Sequence, residues 1–158
     1  MRHKKAPKRK ILPDAKYGSE KISKFINYVM KKGKKTLAEQ IVYQAFKLMA
    51  EKTKTDALKI FEKAIKNASP DIVVKARRIG GANYQIPMPA GEEKKFVLAA
   101  HWLVEAARER KGKSMPEKLA EEIIATSNGE GTAIKKKENL RKLADANKAF
   151  AYFARFVK

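Results

Sequence analysis

The sequence predicts a mainly α-helical single domain of six helices carrying one inserted, protruding, two-stranded antiparallel β-ribbon. Three observations predict it. Apolar residues recur with a helical period through most of the chain. The period switches once, within residues 72–88, to β-branched and aromatic runs flanking a Gly-Gly pair. The 158 residues are 44% apolar, enough for one core and not for two.

Taken in order, Arg2, Lys4, Lys5, Lys8, Arg9 and Lys10 form a block without an acid. Residues 1–12 are therefore expected to be a flexible basic arm that orders on a partner. From Ser19 a stripe of Ile22, Phe25, Ile26, Val29 and Met30 marks the first helix. Lys31 and Lys32 suit its negative end, and Gly33 its left-handed stop. Thr36 and Glu39 are spaced as a capping box for a second helix with Ile41, Val42, Ala45, Phe46 and Met49 on one face. A third starts at Thr55 or Asp56, carries Leu58, Phe61, Ile65 and Ala68, and closes before Ser69-Pro70.

The ribbon runs through Ile72, Val73, Val74 and Ile79, turns at Gly80-Gly81 and returns through Tyr84 and Ile86. A tight primed turn needs φ > 0, which two glycines supply. Lys75, Arg77 and Arg78 occupy both alternating sets, so neither face is cleanly apolar and the ribbon is expected to project as an arm over residues 72–88. A fourth helix begins at Glu92, with Phe96, Ala99, Ala100, Leu103, Val104 and Ala107, and ends in Arg108, Arg110, Lys111 and Gly112. Ser114 and Glu117 make a capping box for a fifth, with Leu119, Ala120, Ile123 and Ile124, stopped by Asn128-Gly129. Thr132 caps a sixth, running through Leu140, Leu143 and Ala144 to Phe150. There is no internal repeat.

Charge points to the partner. With 37 Lys and Arg against 17 Asp and Glu, the formal charge is +20. That surplus repels itself in a compact chain and calls for a polyanion. No run approaches the roughly 18 apolar residues of a membrane span, and the basic N-terminus lacks the apolar core of a secretory signal. The absence of cysteine excludes disulfides, thiolate metal sites and thiol catalysis, and suits a reducing cytoplasm.

Enzyme chemistry finds no foothold. His3 lies in the arm, and His101, beside Trp102, has no nucleophile or metal partner at useful spacing. Glu92-Glu93 and Glu121-Glu122 are adjacent pairs that diverge on a helix, and are expected to be first-turn or solvent-facing charges. Neither Gly80-Gly81 nor Gly129-Glu130-Gly131 matches a phosphate-binding loop. An RNA-modifying enzyme would need a cofactor pocket that no motif suggests, and no cofactor or metal is expected.

Any single lysine is as well explained by a solvated face. The clusters are more telling: the arm, residues 31–35, the ribbon, residues 108–113 and residues 135–142 are basic blocks with few acids. Arginine grips phosphate with a fork or stacks on a base. Arg77 and Arg78 beside Tyr84 therefore suit unpaired RNA, although Tyr84 could equally pack across the hairpin. Duplex DNA is the rival. Helices two and three could form a helix-turn-helix across Lys52-Thr53-Lys54, but the third lacks a base-reading row.

At these residues the sequence resembles the seventh universal family of small-subunit ribosomal proteins, in its bacterial or organellar form. The resemblance is carried by Leu12-Pro13-Asp14, Tyr17-Gly18-Ser19, Lys24-Phe25-Ile26-Asn27, Met30 and Gly33-Lys34-Lys35. It continues through residues 76–87 (ARRIGGANYQIP), Lys111-Gly112-Lys113-Ser114-Met115 and residues 144–151. Departures fall at Asn83, Tyr152-Phe153 and Glu138-Asn139-Leu140. The resemblance implies a structural, rRNA-binding domain over residues 1–158 that nucleates head assembly on the 3′ major domain. It implies a place at the subunit interface near exit-site tRNA and mRNA, ribosomal proteins nine and eleven as neighbours, no membrane and no homo-oligomer. Carried over, Arg77, Arg78, Gly80, Gly81 and Tyr84 face tRNA or mRNA. The rRNA set is Arg2, Lys4, Lys5, Lys8, Arg9, Lys10, Lys34, Lys35, Lys75, Arg108, Arg110, Lys111, Lys113, Lys135, Lys136, Lys137, Arg141 and Lys142.

Overall fold

The computed structural model of the chain describes residues 10–156; residues 1–9, with the basic block from Arg2 to Arg9, lie outside the described residues. The six predicted helices are present: α1 Glu20–Val29, α2 Lys35–Thr53, α3 Ala57–Ala68, α4 Glu92–Glu109, α5 Met115–Ser127 and α6 Thr132–Ala146. Between α3 and α4 the ribbon pairs β1 Ile72–Ile79 with β2 Ala82–Pro89, antiparallel. A 3-10 helix, Lys148–Phe156, follows α6 where sequence periodicity predicted a continuation of it.

The core forms where the apolar stripes meet, with α5 packed against α2, α3 and α4. Phe25 and Phe46 flank Phe61 at 5.0 and 5.5 Å between ring centroids, all three fully buried. Such tilted pairs add about 0.5–1.5 kcal/mol each beyond the area they bury. Leu103, Leu119 and Ile123 complete the centre. Ahead of α1, the buried Asp14 staples the entry segment. Its Oδ2 accepts the Lys16 and Tyr17 N–H groups, and its Oδ1 accepts the Tyr43 hydroxyl at 2.6 Å.

Besides the early stop of α6, three helix ends differ from the sequence reading. α1 stops at Val29, because Lys32 (φ 52°) and Gly33 (φ 73°) both turn left-handed and reverse the chain. Lys31 and Lys32 therefore lie in the turn and not in the helix. The Thr36–Glu39 box is not used. That reversal delivers the chain into α2 two residues early, with Lys34 as N-cap and Lys35 lying 4.0 Å from Glu39. Thr132 is the first residue of α6, after the Gly131 N-cap, and not the cap itself. By contrast, Asp56 caps α3 by accepting Leu58 N–H, and Glu117 accepts Ser114 N–H at the start of α5, as their spacing predicted.

The ribbon has Gly80 at φ 57° and Gly81 at φ 92°, the left-handed pair that a primed two-residue turn requires. Its register sets Arg77 opposite Tyr84 and Lys75 opposite Ile86. Since side chains alternate, Val73, Lys75, Arg77, Tyr84, Ile86 and Met88 share one face, and Arg78, Asn83 and Gln85 lie on the other. The first face is more apolar than its sequence suggested. Val73 and Ile86 are buried at the root, where α6 lies against β1. The ribbon is thus rooted on the helices, while Gly80, Gly81 and both arginines stay exposed.

Candidate nucleic-acid interface

The structure divides the predicted cations into two populations. One is occupied within the protein. Arg110 places Nε 2.9 Å and Nη2 2.6 Å from Glu122 Oε2, and Lys113 donates to Glu121. That lysine contact is the main reason the Glu121 carboxyl is held below its ordinary value. Lys136 reaches both Glu105 and Glu109 at 3.0 Å; burial works against its charge, but the two carboxylates outweigh it and hold its pKa up. Lys137 donates to the Asn67 carbonyl at 2.7 Å, and Arg108 Nη2 to the Val29 carbonyl at 3.1 Å.

The other population has no ion pair or side-chain hydrogen bond to any described residue. It comprises Lys10, Lys34, Lys75, Arg77, Arg78, Lys111, Lys135, Arg141 and Lys142, all exposed. Lys35 stays more than half exposed despite its loose approach to Glu39.

Glu122 corrects the sequence reading. Its predicted place was at the solvent, yet its side chain is fully buried. It survives there because both oxygens are engaged: Oε2 by Arg110, and Oε1 by Ala133 N–H at 3.1 Å, which caps α6 from a neighbouring helix. Gly131 makes the room, since a Cβ there would sit 2.9 Å from Glu122 Oε1.

Tyr84 also has a partner that sequence did not reveal. Its ring lies 5.0 Å from Phe150 and 6.0 Å from Phe153, so the terminal 3-10 helix covers part of it. The ring is half-buried, with Arg77 opposite it across the ribbon.

Two depressions gather cations from distant parts of the chain. A cleft of about 980 Å³ is lined by Lys21 and Lys24 of α1, Lys66 of α3, Lys95 of α4 and Lys137 of α6, together with Asp71, Glu92 and Glu93. A shallower groove of about 590 Å³ between α3 and α6 has Lys63, Lys66, Lys137 and Arg141. Lys66 and Lys137 belong to both, so the two adjoin. Sequence reasoning missed Lys21, Lys24, Lys63 and Lys66. Each sits in an amphipathic helix among ordinary polar neighbours, and only the packing of α1, α3 and α6 in the folded chain assembles them. Lys75, Arg77 and Arg78 line neither depression. A third, smaller hollow joins the α1–α2 turn to Arg108.

Among the described residues no group of three His, Cys, Asp or Glu could hold a metal, and no helix is long and apolar enough to cross a membrane. His101 lies 4.5 Å, ring to ring, from Tyr28 and is exposed.

Comparison with known proteins agrees with this basic helical body. The family model described as ribosomal protein S7p/S5e matches residues 1–148. The small ribosomal subunit protein uS7 of Thermotoga maritima is 52% identical over 153 residues, 97% of this chain and 99% of its own. Its counterpart from Carboxydothermus hydrogenoformans is 53% identical over 147 residues, 93% of this chain and 94% of that protein. That from Marinobacter nauticus is 47% identical over 152 residues, 96% of this chain and 97% of that one. A basic helical body matched along nearly its whole length in this way is a ribosomal constituent and not an enzyme, and the chain belongs to the ribosomal protein S7p/S5e family.

Proposed function

We propose that the protein is an rRNA-binding structural constituent of the small ribosomal subunit, nucleating the head through the 3′ major domain. Its ribbon then lies toward exit-site tRNA and mRNA, with ribosomal proteins nine and eleven as neighbours. One observation carries the reading: cations without partners among the described residues are spread over the ribbon, two inter-helix turns and α6, while acids of α4 and α5 occupy Arg110, Lys113 and Lys136. A surface of that kind suits a folded polyanion that presents phosphates at many angles. Duplex readout would instead concentrate base-reading groups on one helix. The exposed side of α3 carries Glu62 between Lys59 and Lys63, which does not suit a major groove.

The test is co-sedimentation with small subunits, followed by binding to a transcript of the 3′ domain of small-subunit rRNA. Affinity falls by roughly 10³-fold or more between about 50 and 200 mM salt. Equal or tighter binding to duplex DNA overturns the reading, as does recovery of the native protein only as a free monomer.

A further inference from the structure

Glu121 of α5 stands among three cations drawn from two other parts of the chain. Lys113, in the turn before α5, donates to its Oε1. Lys52, in the last turn of α2, lies 3.5 Å from the same oxygen, and Arg110 Nη1 lies 3.6 Å from Oε2. The carboxylate is partly open to water, with 23% of its side chain exposed, and Lys52 and Lys113 are half exposed. Ion pairs as open as these contribute little to stability. The fold has its own fastening here in Glu122, which is fully buried and takes Nε and Nη2 of Arg110. What Glu121 changes most is therefore the surface potential. Lys54 and Lys111, exposed and without an ion pair to any described residue, extend the same two stretches. Without Glu121 these turns would form an unbroken basic patch; with it, the patch has an anion set inside it.

We infer that Glu121 is a specificity-determining residue, a negative charge inside the basic surface that disfavours the regular phosphates of duplex DNA against a folded RNA. The inference rests on the rRNA reading above and adds to it a group that repels. A basic patch attracts any polyanion, so discrimination needs an element that acts against the wrong one. Duplex DNA carries evenly and closely spaced phosphates, about one charge per 1.7 Å of axis. Laid across these turns, it brings phosphate up to Glu121, and Lys113 has to leave its carboxylate to meet one. A folded transcript presents its backbone at uneven angles. It also carries 2′-hydroxyls, donors that a carboxylate accepts and that DNA lacks. The like charge thus weighs on the duplex and spares the transcript.

The experiment compares the affinity of the full chain for a 3′-domain transcript with that for random-sequence duplex DNA, each across a salt series. In Glu121→Gln, duplex affinity rises about tenfold at about 100 mM salt and its slope steepens by about one counterion, because Lys113 is freed for phosphate. Transcript affinity moves by about twofold or less, so the ratio of transcript to duplex affinity falls. Glu51→Gln removes the same charge from an exposed α2 carboxylate with one lysine 4.0 Å away, and leaves the ratio as in the parent. Lys113→Gln leaves the duplex slope unchanged in the parent but flattens it by about one counterion in Glu121→Gln, a coupling that a double-mutant cycle reads. The inference is overturned if folded Glu121→Gln keeps the parent's ratio, or if Glu51→Gln lowers it as far. It is overturned too if Lys113→Gln alone flattens the duplex slope, a result that stands even should Glu121→Gln not fold. Failure of the parent protein to bind the transcript at all removes the rRNA reading itself, and is seen before any variant is made.

Discussion

Arg110 closes on Glu122 with two hydrogen bonds to the same oxygen, while the carboxylate's other oxygen caps α6 at Ala133. The turn after α4, the middle of α5 and the start of α6 are joined at one buried anion. A residue that composition alone would assign to RNA is thereby a structural fastening.

Removing that anion is the most damaging change expected outside the aromatic core. Glu122→Ala leaves the Ala133 amide without its acceptor and Arg110 without its main partner. Arg110 is about one-third exposed, so the loss is discounted to about 2–4 kcal/mol. Gly131→Ala presses a methyl group against Oε1 at a φ of 103°, and costs ~1–3 kcal/mol. Urea denaturation measures both, and wild-type midpoints would refute the account.

The two cation populations separate in a binding assay. Lys135→Gln combined with Arg141→Gln and Lys142→Gln flattens the salt dependence of rRNA affinity by up to about three counterions, with the melting temperature little changed. Lys136→Gln does the opposite: it leaves Glu105 and Glu109 facing each other without their shared cation and lowers stability modestly, by ~0.5–1 kcal/mol. Equal salt slopes for the two variants would show that pairing within the protein does not decide which cations meet RNA.

On the ribbon, Arg77→Ala with Arg78→Ala weakens an RNA or tRNA contact and leaves helical circular dichroism intact, since both side chains are exposed. Loss of helical signal would assign them to the fold.

Tyr43 gives an alkaline marker. Burial, then the hydrogen bond to Asp14, pushes its phenol up to about 12 from 10.0. A folded value above the unfolded one means that its contribution is complete below pH 10 and fades as pH rises toward 12. Ultraviolet titration should show one late tyrosine step that Tyr43→Phe removes. An unchanged last step would place the late tyrosine elsewhere.

Much of this was legible in one dimension. Helical stripes and the Gly80-Gly81 turn placed six helices and a ribbon, because period and backbone sterics are local properties. Thr36 and Thr132 misled for a related reason. A capping residue offers an acceptor, but the chain takes it only if its path reaches that residue in the right conformation, and Lys32 and Glu122 redirected the path. The interface was less legible. The basic blocks stood out, yet whether Arg110 or Lys111 is open depends on an acid twelve positions away from the former. Lys63 and Lys66 join Arg141 only through α3–α6 packing. Tyr84 has, beside the two roles read from sequence, a contact that neither foresaw, supplied by Phe150 more than sixty residues downstream.

That contact couples two distant stretches of chain. With Phe150 laid on Tyr84, the carboxyl end acts as a strut against the middle of the hairpin, which is then clamped near its base and propped partway along. Past the prop only the pairs Arg78–Asn83 and Ile79–Ala82 and the two glycines remain. Anything that pulled the strut aside would lengthen the overhang and let its tip sweep a wider arc, so the reach of the two glycines is set partly by where Phe150 and Phe153 lie.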